Sequence, residues 1–262
     1  LFSLNLNYNI LTMNSNNLKK QKDKVLNSFK EKKFQEVIVD GENLLKERQN
    51  DAQLLFILGL ASINLQNFVG AESYFEKLIL FKKTAENFYT LGNIQKKLKK
   101  FNQAVTSFNE AIKLNPNFSE AFNNLGSTLK SLNKYDEAIL NYKKSINLNK
   151  NNVEACYNLA SLYFSLEKYI EALDYYKNII NLKARHEEIC EKYTICLSKT
   201  GKKNEIKDFV PKVITKYPSN RTLNNLLGQS LLALNFHKEG LSYIRKGAGF
   251  LQLDENGVNL LK

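Results

Sequence analysis

The chain of 262 residues repeats one pattern of apolar and polar positions, and the period within the pattern is helical. Phe122, Leu125 and Leu129 lie at i, i+3 and i+7, which places them on one face of a helix. Ala138 and Tyr142 share one face of a second helix further along the same copy. The pattern therefore predicts pairs of helices that face each other.

A small residue marks the same place in successive copies of the pattern. It recurs at steps of 33, 34, 34, 34 and 34 residues, at Gly59, Gly92, Gly126, Ala160, Thr194 and Gly228. In four copies an alanine follows, and then an aromatic residue: Ala71 and Phe75, Ala104 and Phe108, Ala138 and Tyr142, Ala172 and Tyr176. Small residues are favoured where two helix backbones come closest, although glycine within a helix costs about 1 kcal/mol relative to alanine. We therefore expect these positions to mark the closest approach of the paired helices.

The combination resembles the tetratricopeptide repeat, in which an aromatic residue, Leu-Gly, Tyr, Ala, Phe and Pro recur over about 34 residues. The resemblance covers nearly the whole chain and implies repeats at about 18–51, 52–84, 85–118, 119–152, 153–186, 187–220 and 221–254. One helix pair cannot bury its apolar face alone, so stacked repeats share a continuous core. The expected fold is an all-α, right-handed α-solenoid of about seven helix-turn-helix repeats with a short C-terminal cap.

The two ends of the chain lie outside this pattern. Residues 1–17 contain no lysine or arginine, and we predict a disordered or non-native segment rather than a signal peptide. Residues 247–262 are predicted to form a capping tail that overlaps the last repeat. The Asn256-Gly257 pair between two apolar runs also indicates a β-hairpin in this tail.

Two of the repeats depart from the pattern. The first repeat has Lys24 and Val25 in place of Leu-Gly, and we predict that it caps the N-terminal end of the solenoid. The sixth has Thr194 as its small residue and Pro211 inside its second helix, where proline is expected to kink or restart the helix. The least regular packing is therefore expected in the sixth repeat.

The net charge of +12 suggests an anionic partner, but the kind of basic residue argues against specific nucleic-acid binding. Only four basic residues are arginine, the residue favoured for bidentate recognition of phosphates and bases. Five lysines recur where the first helix of a repeat ends: Lys33, Lys100, Lys134, Lys168 and Lys202. We interpret them as cations that complement the helix dipole, worth about 0.3–1 kcal/mol each, with an anion-binding stripe as the alternative.

Residues that carry catalytic or metal chemistry are few and scattered. The three cysteines and two histidines show no metal-ligand spacing; Cys156 and Cys190 are predicted to be buried and Cys196 to lie off the packing face. No phosphate loop or nucleophile motif is present, so we expect neither enzyme activity nor a cofactor. No run of 18 or more apolar residues indicates a membrane span, and the expected location is cytoplasmic.

Function is expected on the concave wall, at positions two, five, six and nine of each first helix. The predicted peptide-binding groove contains Tyr89, Thr90, Asn93, Asn123, Asn124, Ser127, Tyr157, Asn158, Ser161, Lys192, Asn225 and Gln229. Asparagine both donates and accepts hydrogen bonds, so a ladder of such side chains can pair with the main chain of an extended peptide. A solvated polar surface is the simpler alternative for this stripe.

Asn124 and Asn158 resemble the asparagine ladder in the tetratricopeptide domains of O-linked N-acetylglucosamine transferases. The carboxylate-clamp members of the family carry lysine and arginine on this stripe, whereas position two holds Glu86, Glu120, Glu154 and Glu188. The resemblance implies a scaffold that binds an extended peptide or partner segment in the groove. The alternative is the substrate-recruiting region of a glycosyltransferase or an oxygenase whose catalytic domain is absent from this chain.

Overall fold

The computed structural model describes residues 17–182, 186–248, 251–254 and 257–260. Of the predicted disordered or non-native segment, all but residue 17 lies outside the described residues. The helices are α1 (17–30), α2 (Phe34–Glu47), α3 (Ala52–Asn64), α4 (Phe68–Phe81), α5 (Ala85–Lys97), α6 (Phe101–Leu114), α7 (Ser119–Ser131), α8 (Tyr135–Leu148), α9 (Val153–Ser165), α10 (Tyr169–Asn181), α11 (Glu187–Lys199), α12 (Lys203–Ile214), α13 (Arg221–Ala233) and α14 (His237–Ala248). The strands are β1 (Leu251–Asp254) and β2 (Gly257–Leu260).

The helices form two compact units, Leu1–Asn141 and Tyr142–Lys262, whose boundary falls within α8. In the N-terminal unit each helix from α2 to α7 packs mainly on its neighbours in sequence. In the C-terminal unit the helices from α9 to α14 do the same. Packing between sequence neighbours is the signature of a repeat array, and the fold is an all-α helical-repeat solenoid, as predicted.

The turn inside each helix pair has one recurring geometry. The second residue after the first helix adopts a positive φ, between 58° and 74°, at Lys32, Gln66, Lys99, Asn133, Glu167, Gly201 and Asn235. The next N–H group then bonds back to the last helical turn, as when Lys100 N donates to Gln95 O at 2.8 Å. This Schellman geometry satisfies carbonyl groups that the helix end leaves without a partner. Each second helix begins two residues after the positive-φ residue, so the turn fixes the spacing of the pair.

Side chains cap several of the first helices at their N-termini. The carboxylate of Asp51 accepts hydrogen bonds from the N–H groups of Gln53 and Leu54, at 3.1 and 3.0 Å. Asn152 and Asn220 accept in the same way at the starts of α9 and α13. Such caps contribute about 1 kcal/mol each and define where a first helix begins.

In the N-terminal unit the small residue of a repeat faces the aromatic residue of its second helix. A Cβ atom added to Gly59 would lie 2.6 Å from Cε2 of Phe75, and one added to Gly92 would lie 2.7 Å from Cε1 of Phe108. Both phenylalanines are fully buried. The expected close approach of the paired helices is therefore confirmed, and glycine is needed there to admit the ring.

In the C-terminal unit, α13 and α14 approach each other through their backbones. A Cβ atom on Gly228 would lie 2.8 Å from the carbonyl oxygen of Gly240, and one on Gly240 would lie 2.9 Å from the carbonyl oxygen of Gly228. The two backbones therefore lie so close at this contact that neither glycine can be replaced by a residue with a side chain without a shift.

The first repeat is joined to the core of the N-terminal unit by Val25, the residue that replaces glycine. Val25 is buried in one apolar cluster with Val37, Leu44 and Leu58, and Phe29 packs against that cluster. Helix α1 therefore covers an apolar face of α2 and α3.

The sixth repeat has the loosest packing among the helix pairs that the structure describes in full, as predicted, because α11 and α12 make less contact with each other than α3 with α4, α5 with α6, α9 with α10 or α13 with α14. Helix α12 runs without a break through Pro211, so the expected restart of the helix is wrong. Proline removes a single N–H donor, and the buried side chains of Val210 and Val213 on either side keep the turn packed. Thr194 is fully buried and its hydroxyl donates to the carbonyl oxygen of Cys190 at 2.8 Å.

The tail after the last helix contains the β-hairpin that the Asn-Gly pair indicates. Strands β1 and β2 pair antiparallel, with Leu251 opposite Leu260 and Asp254 opposite Gly257. Residues 249–250, 255–256 and 261–262 of the predicted tail lie outside the described residues. The capping role of this tail stays a prediction.

Candidate functional site

The first polar face lies in the N-terminal unit, on the exposed sides of α5 and α7. We define it by the six predicted groove residues of these helices: Tyr89, Thr90, Asn93, Asn123, Asn124 and Ser127. Five of the six are half-buried, whereas Asn123 is only 3% exposed. Asn123 therefore supports this face from below and offers little surface to a ligand.

Asn124 is the centre of the first polar face. Its Nδ2 atom donates to Oδ1 of Asn93 at 2.7 Å and to Oη of Tyr89 at 3.0 Å. Its Oδ1 atom accepts from Nδ2 of Asn123 at 3.4 Å. Asn124 thus links α7 to α5, and its amide holds the neighbouring side chains in fixed positions.

Two further contacts set the orientation of this face. The ring of Tyr89 packs on Phe118 and Phe108, with centroid distances of 4.8 and 6.0 Å. Thr90 donates its hydroxyl to the carbonyl oxygen of Glu86 at 2.8 Å, and Ser127 accepts from Nζ of Lys96 at 3.3 Å. The first polar face is consequently built from neutral groups braced by aromatic rings.

A cavity of about 420 Å³ opens beside the first polar face. Thr90 and Asn93 line one side of it, and the apolar side chains of Ile63, Phe68 and Ile94 line another. Polar donors next to an apolar recess are the usual composition of a binding pocket. Ile63 lies near the end of α3 and Phe68 at the start of α4, so neither is at the four positions of the first helices from which the groove was predicted.

The second polar face lies in the C-terminal unit, on α9, α11 and α13. We define it by the remaining predicted residues: Tyr157, Asn158, Ser161, Lys192, Asn225 and Gln229. Tyr157 donates its hydroxyl to Oε1 of Glu188 at 2.8 Å. Nζ of Lys192 lies 2.8 Å from the same carboxylate atom and 3.3 Å from the phenol oxygen. Two side chains of this face, Tyr157 and Lys192, are therefore joined with Glu188 in one charged network.

This network changes the ionisation of its charged members. The hydrogen bond from Lys192, followed by that from Tyr157, lowers the pKa of Glu188 below its usual value. Burial acts to lower the pKa of Lys192, but the hydrogen bond to Glu188 and the nearby phenols outweigh it, and the pKa is raised. Both groups thus stay charged over a wider pH range than free side chains do.

The other residues of the second polar face differ in accessibility. Ser161 lies 3.4 Å from Oη of Tyr176, whose burial raises the pKa of that phenol to about 12. Oδ1 of Asn225 is buried and has no hydrogen-bond partner among the described residues. Gln229 is exposed and Asn158 is half-buried.

The five recurring lysines follow the first helices, and four of their amines are held by carboxylates. Nζ of Lys100 lies 2.6 Å from Oε2 of the buried Glu72. The other ion pairs are Lys33 with Glu31 at 2.8 Å, Lys134 with Glu137 at 3.5 Å and Lys202 with Glu205 at 3.3 Å. Most of these lysines are therefore ion-paired. Lys33, Lys100, Lys168 and Lys202 are also the N-cap residues of second helices, where the helix dipole is positive, so the interpretation as cations that complement a helix dipole does not describe them.

The cysteines do not form a reactive site. Cys156, Cys190 and Cys196 are all buried and none of them forms a disulfide, so the prediction that Cys196 lies off the packing face is wrong. Helix α11 buries more of its surface than the single face assumed in the prediction, because it packs against α10 on one side and α12 on the other. Burial raises the pKa of the Cys196 thiol to about 12, which keeps it protonated at neutral pH.

Within the described part of the chain, no three histidine, cysteine, aspartate or glutamate side chains converge as a metal site would require. His186 and His237 are exposed at helix starts. Among the same residues, no helix has both the length and the apolar character needed to cross a membrane.

Comparison with known families identifies the repeats. Residues 85–118, 107–139 and 153–186 match sequence models of the tetratricopeptide repeat, and residues 126–167 match a model described as TPR repeat. No curated protein matches the chain.

Several solved structures share the fold. MamA is 23% identical over 60% of this chain and 93% of its own, with a TM-score of 0.58. A tetratricopeptide repeat protein from Parabacteroides merdae ATCC 43184 is 17% identical over 89% of this chain and 93% of its own, with a TM-score of 0.62. YrrB, described as a TPR protein with an unusual peptide-binding site, is 20% identical over 63% of this chain and 86% of its own, with a TM-score of 0.57.

Proposed function

Because the chain belongs to the tetratricopeptide-repeat family, we propose that it is a protein-interaction scaffold that binds an extended peptide segment on the polar faces of its first helices. The observation that carries this proposal is the position of Asn93. Its side chain is fixed by Asn124 and lies beside the cavity walled by Ile63, Phe68 and Ile94.

The hydrogen bonds of Asn93 define what it offers a ligand. Its Oδ1 atom accepts from Asn124, while its Nδ2 atom carries two donors. A carbonyl oxygen of an extended peptide is the natural partner for such donors, and this pairing is independent of the peptide's sequence. The neighbouring cavity then adds selectivity, because it favours a peptide with an apolar side chain at that point.

In the C-terminal unit we expect Asn158, Asn225 and Gln229 to contact the peptide. Tyr157 and Lys192 already bind each other and Glu188, so they serve this face as a brace. Tetratricopeptide solenoids commonly bind partners on the surface formed by their first helices. The peptide-binding site named for YrrB supports the proposal at the level of the shared fold.

The test is Asn93→Ala, measured by fluorescence anisotropy with a library of short synthetic peptides. Loss of the amide should weaken the tightest peptides by about 1–3 kcal/mol, because a peptide carbonyl loses its donor in a partly enclosed site. Asn109→Ala is the matched control, since Asn109 is exposed on α6, the second helix of the same pair. Equal affinity of both variants and the parent would contradict a role for this face.

A further inference from the structure

The C-terminal end of α5 holds the densest cluster of positive charge near the cavity. Four of five consecutive residues are lysine: Lys96, Lys97, Lys99 and Lys100. The negative end of the helix dipole is equivalent to about half an elementary charge, so it compensates only a small part of this cluster.

The four lysines differ in what already binds them. Lys100 is neutralised by Glu72 at 2.6 Å, and Lys96 donates to the uncharged hydroxyl of Ser127. Lys97 and Lys99 are exposed, and neither forms an ion pair with any residue that the structure describes. Two cations at this end of α5 are therefore available to an external anion.

Two lysines of the cluster line the apolar recess. Lys96 and Lys97 line the same cavity of about 420 Å³ as Ile63, Phe68 and Ile94. A ligand that fills the recess with an apolar group consequently brings its neighbouring groups to the lysines. Charge complementarity then favours carboxylates at those neighbouring positions.

We propose that the N-terminal unit selects an acidic peptide segment in which an apolar side chain enters this cavity while adjacent carboxylates bind Lys97 and Lys99. The inference rests on the proposed function and names the chemistry of the partner. The recess favours a peptide over a nucleic acid, because Phe68 is the single aromatic side chain among the residues that line it, whereas single-stranded nucleic acids are bound by several aromatic side chains on which successive bases stack.

A peptide library that varies net charge and apolar content independently tests this proposal on the full chain. The tightest peptides should combine Leu, Ile or Phe with adjacent Asp or Glu, and added salt should weaken them. The double variant Lys97→Glu with Lys99→Glu should weaken these peptides roughly tenfold. Lys77→Glu, an exposed lysine of α4, should leave their affinity unchanged. Thermal melting of each variant confirms that it folds.

The possible outcomes separate this inference from the function on which it rests. Preferential binding of neutral or basic peptides would overturn the acidic selectivity and leave the peptide-binding function standing. Absence of binding to every peptide would overturn both. Oligothymidylate that binds more tightly than every acidic peptide, and loses affinity in the double variant, would identify a polyanion patch and overturn the inference.

Discussion

Each polar face contains a hydrogen bond to a tyrosine hydroxyl at the equivalent position, but the donor differs between the two faces. In the N-terminal unit Nδ2 of Asn124 donates to the phenol of Tyr89, 35 residues earlier. In the C-terminal unit Nζ of Lys192 donates to the phenol of Tyr157, also 35 residues earlier. The repeat therefore fixes a donor on one first helix opposite a tyrosine on the first helix before it.

The change of donor from an amide to an ammonium group alters what each face offers a ligand. The amide of Asn124 leaves the N-terminal face uncharged, and the same Nδ2 atom also donates to Oδ1 of Asn93. A lysine donor needs a counter-ion, and Glu188 supplies it at 2.8 Å. The N-terminal face is thus uncharged at this position, whereas the charges of the C-terminal face neutralise each other. We therefore expect peptide contact mainly on the N-terminal unit.

The largest expected effects concern the helix contacts beneath the two faces. Gly92→Leu should destabilise the protein by about 1–3 kcal/mol, because the new side chain meets the buried ring of Phe108. Substitution by alanine should cost more stability at Gly228 than at Gly92. The new Cβ atom at Gly228 meets backbone atoms of Gly240 and Ile244, whereas that at Gly92 meets only a side chain. Chemical denaturation measures both. An equal or milder cost for Gly228→Ala than for Gly92→Ala would contradict the close backbone contact between α13 and α14.

A smaller difference is expected between the two donors themselves. Asn124→Ala leaves Oδ1 of Asn93 and the phenol of Tyr89 without their donor, so it should cost about 1 kcal/mol of unfolding free energy. Lys192→Ala removes a partly exposed ion pair and should cost less than about 1 kcal/mol. Urea denaturation of the two variants decides the order. A greater loss for Lys192→Ala would mean that the charged network is the more important brace.

The sequence was sufficient to predict the repeat and its helix contacts. The spacing of Gly59 and Gly92 from Phe75 and Phe108 is short and local, and the predicted approach of these helices is found in the structure. Pro211 shows the limit of such reasoning, because local propensity favours a break that buried neighbours prevent. Cys196 shows a second limit. The prediction assumed that α11 buries a single face, whereas α11 packs against both α10 and α12, and Cys196 is buried.

The candidate site was harder to predict than the fold. Spacing placed the groove residues on first helices, but it did not indicate that Asn123 is buried or that Asn124 is already hydrogen-bonded. The cavity walls at Ile63 and Phe68 come from the preceding helix pair, so no periodicity within one repeat points to them. The Glu188–Lys192 pair did have a signal, because the two residues stand at i and i+4 on one helix.

The smallest expected effect is a pH dependence that belongs to the second polar face alone. Glu188 has a pKa lowered from its ordinary value of 4.5, chiefly by the hydrogen bond from Lys192, so its contribution to stability is present above that pH. Protonation removes this contribution as the pH falls from 4.5 through the lower pKa of the folded state. Glu188→Gln should therefore be less stable than the parent at neutral pH, and the difference in unfolding free energy should shrink on acidification. Asn124→Ala carries no titrating group and serves as the control, because its cost should be the same across this range. Denaturation curves at several pH values measure both variants, and a constant cost for Glu188→Gln would contradict the charged network.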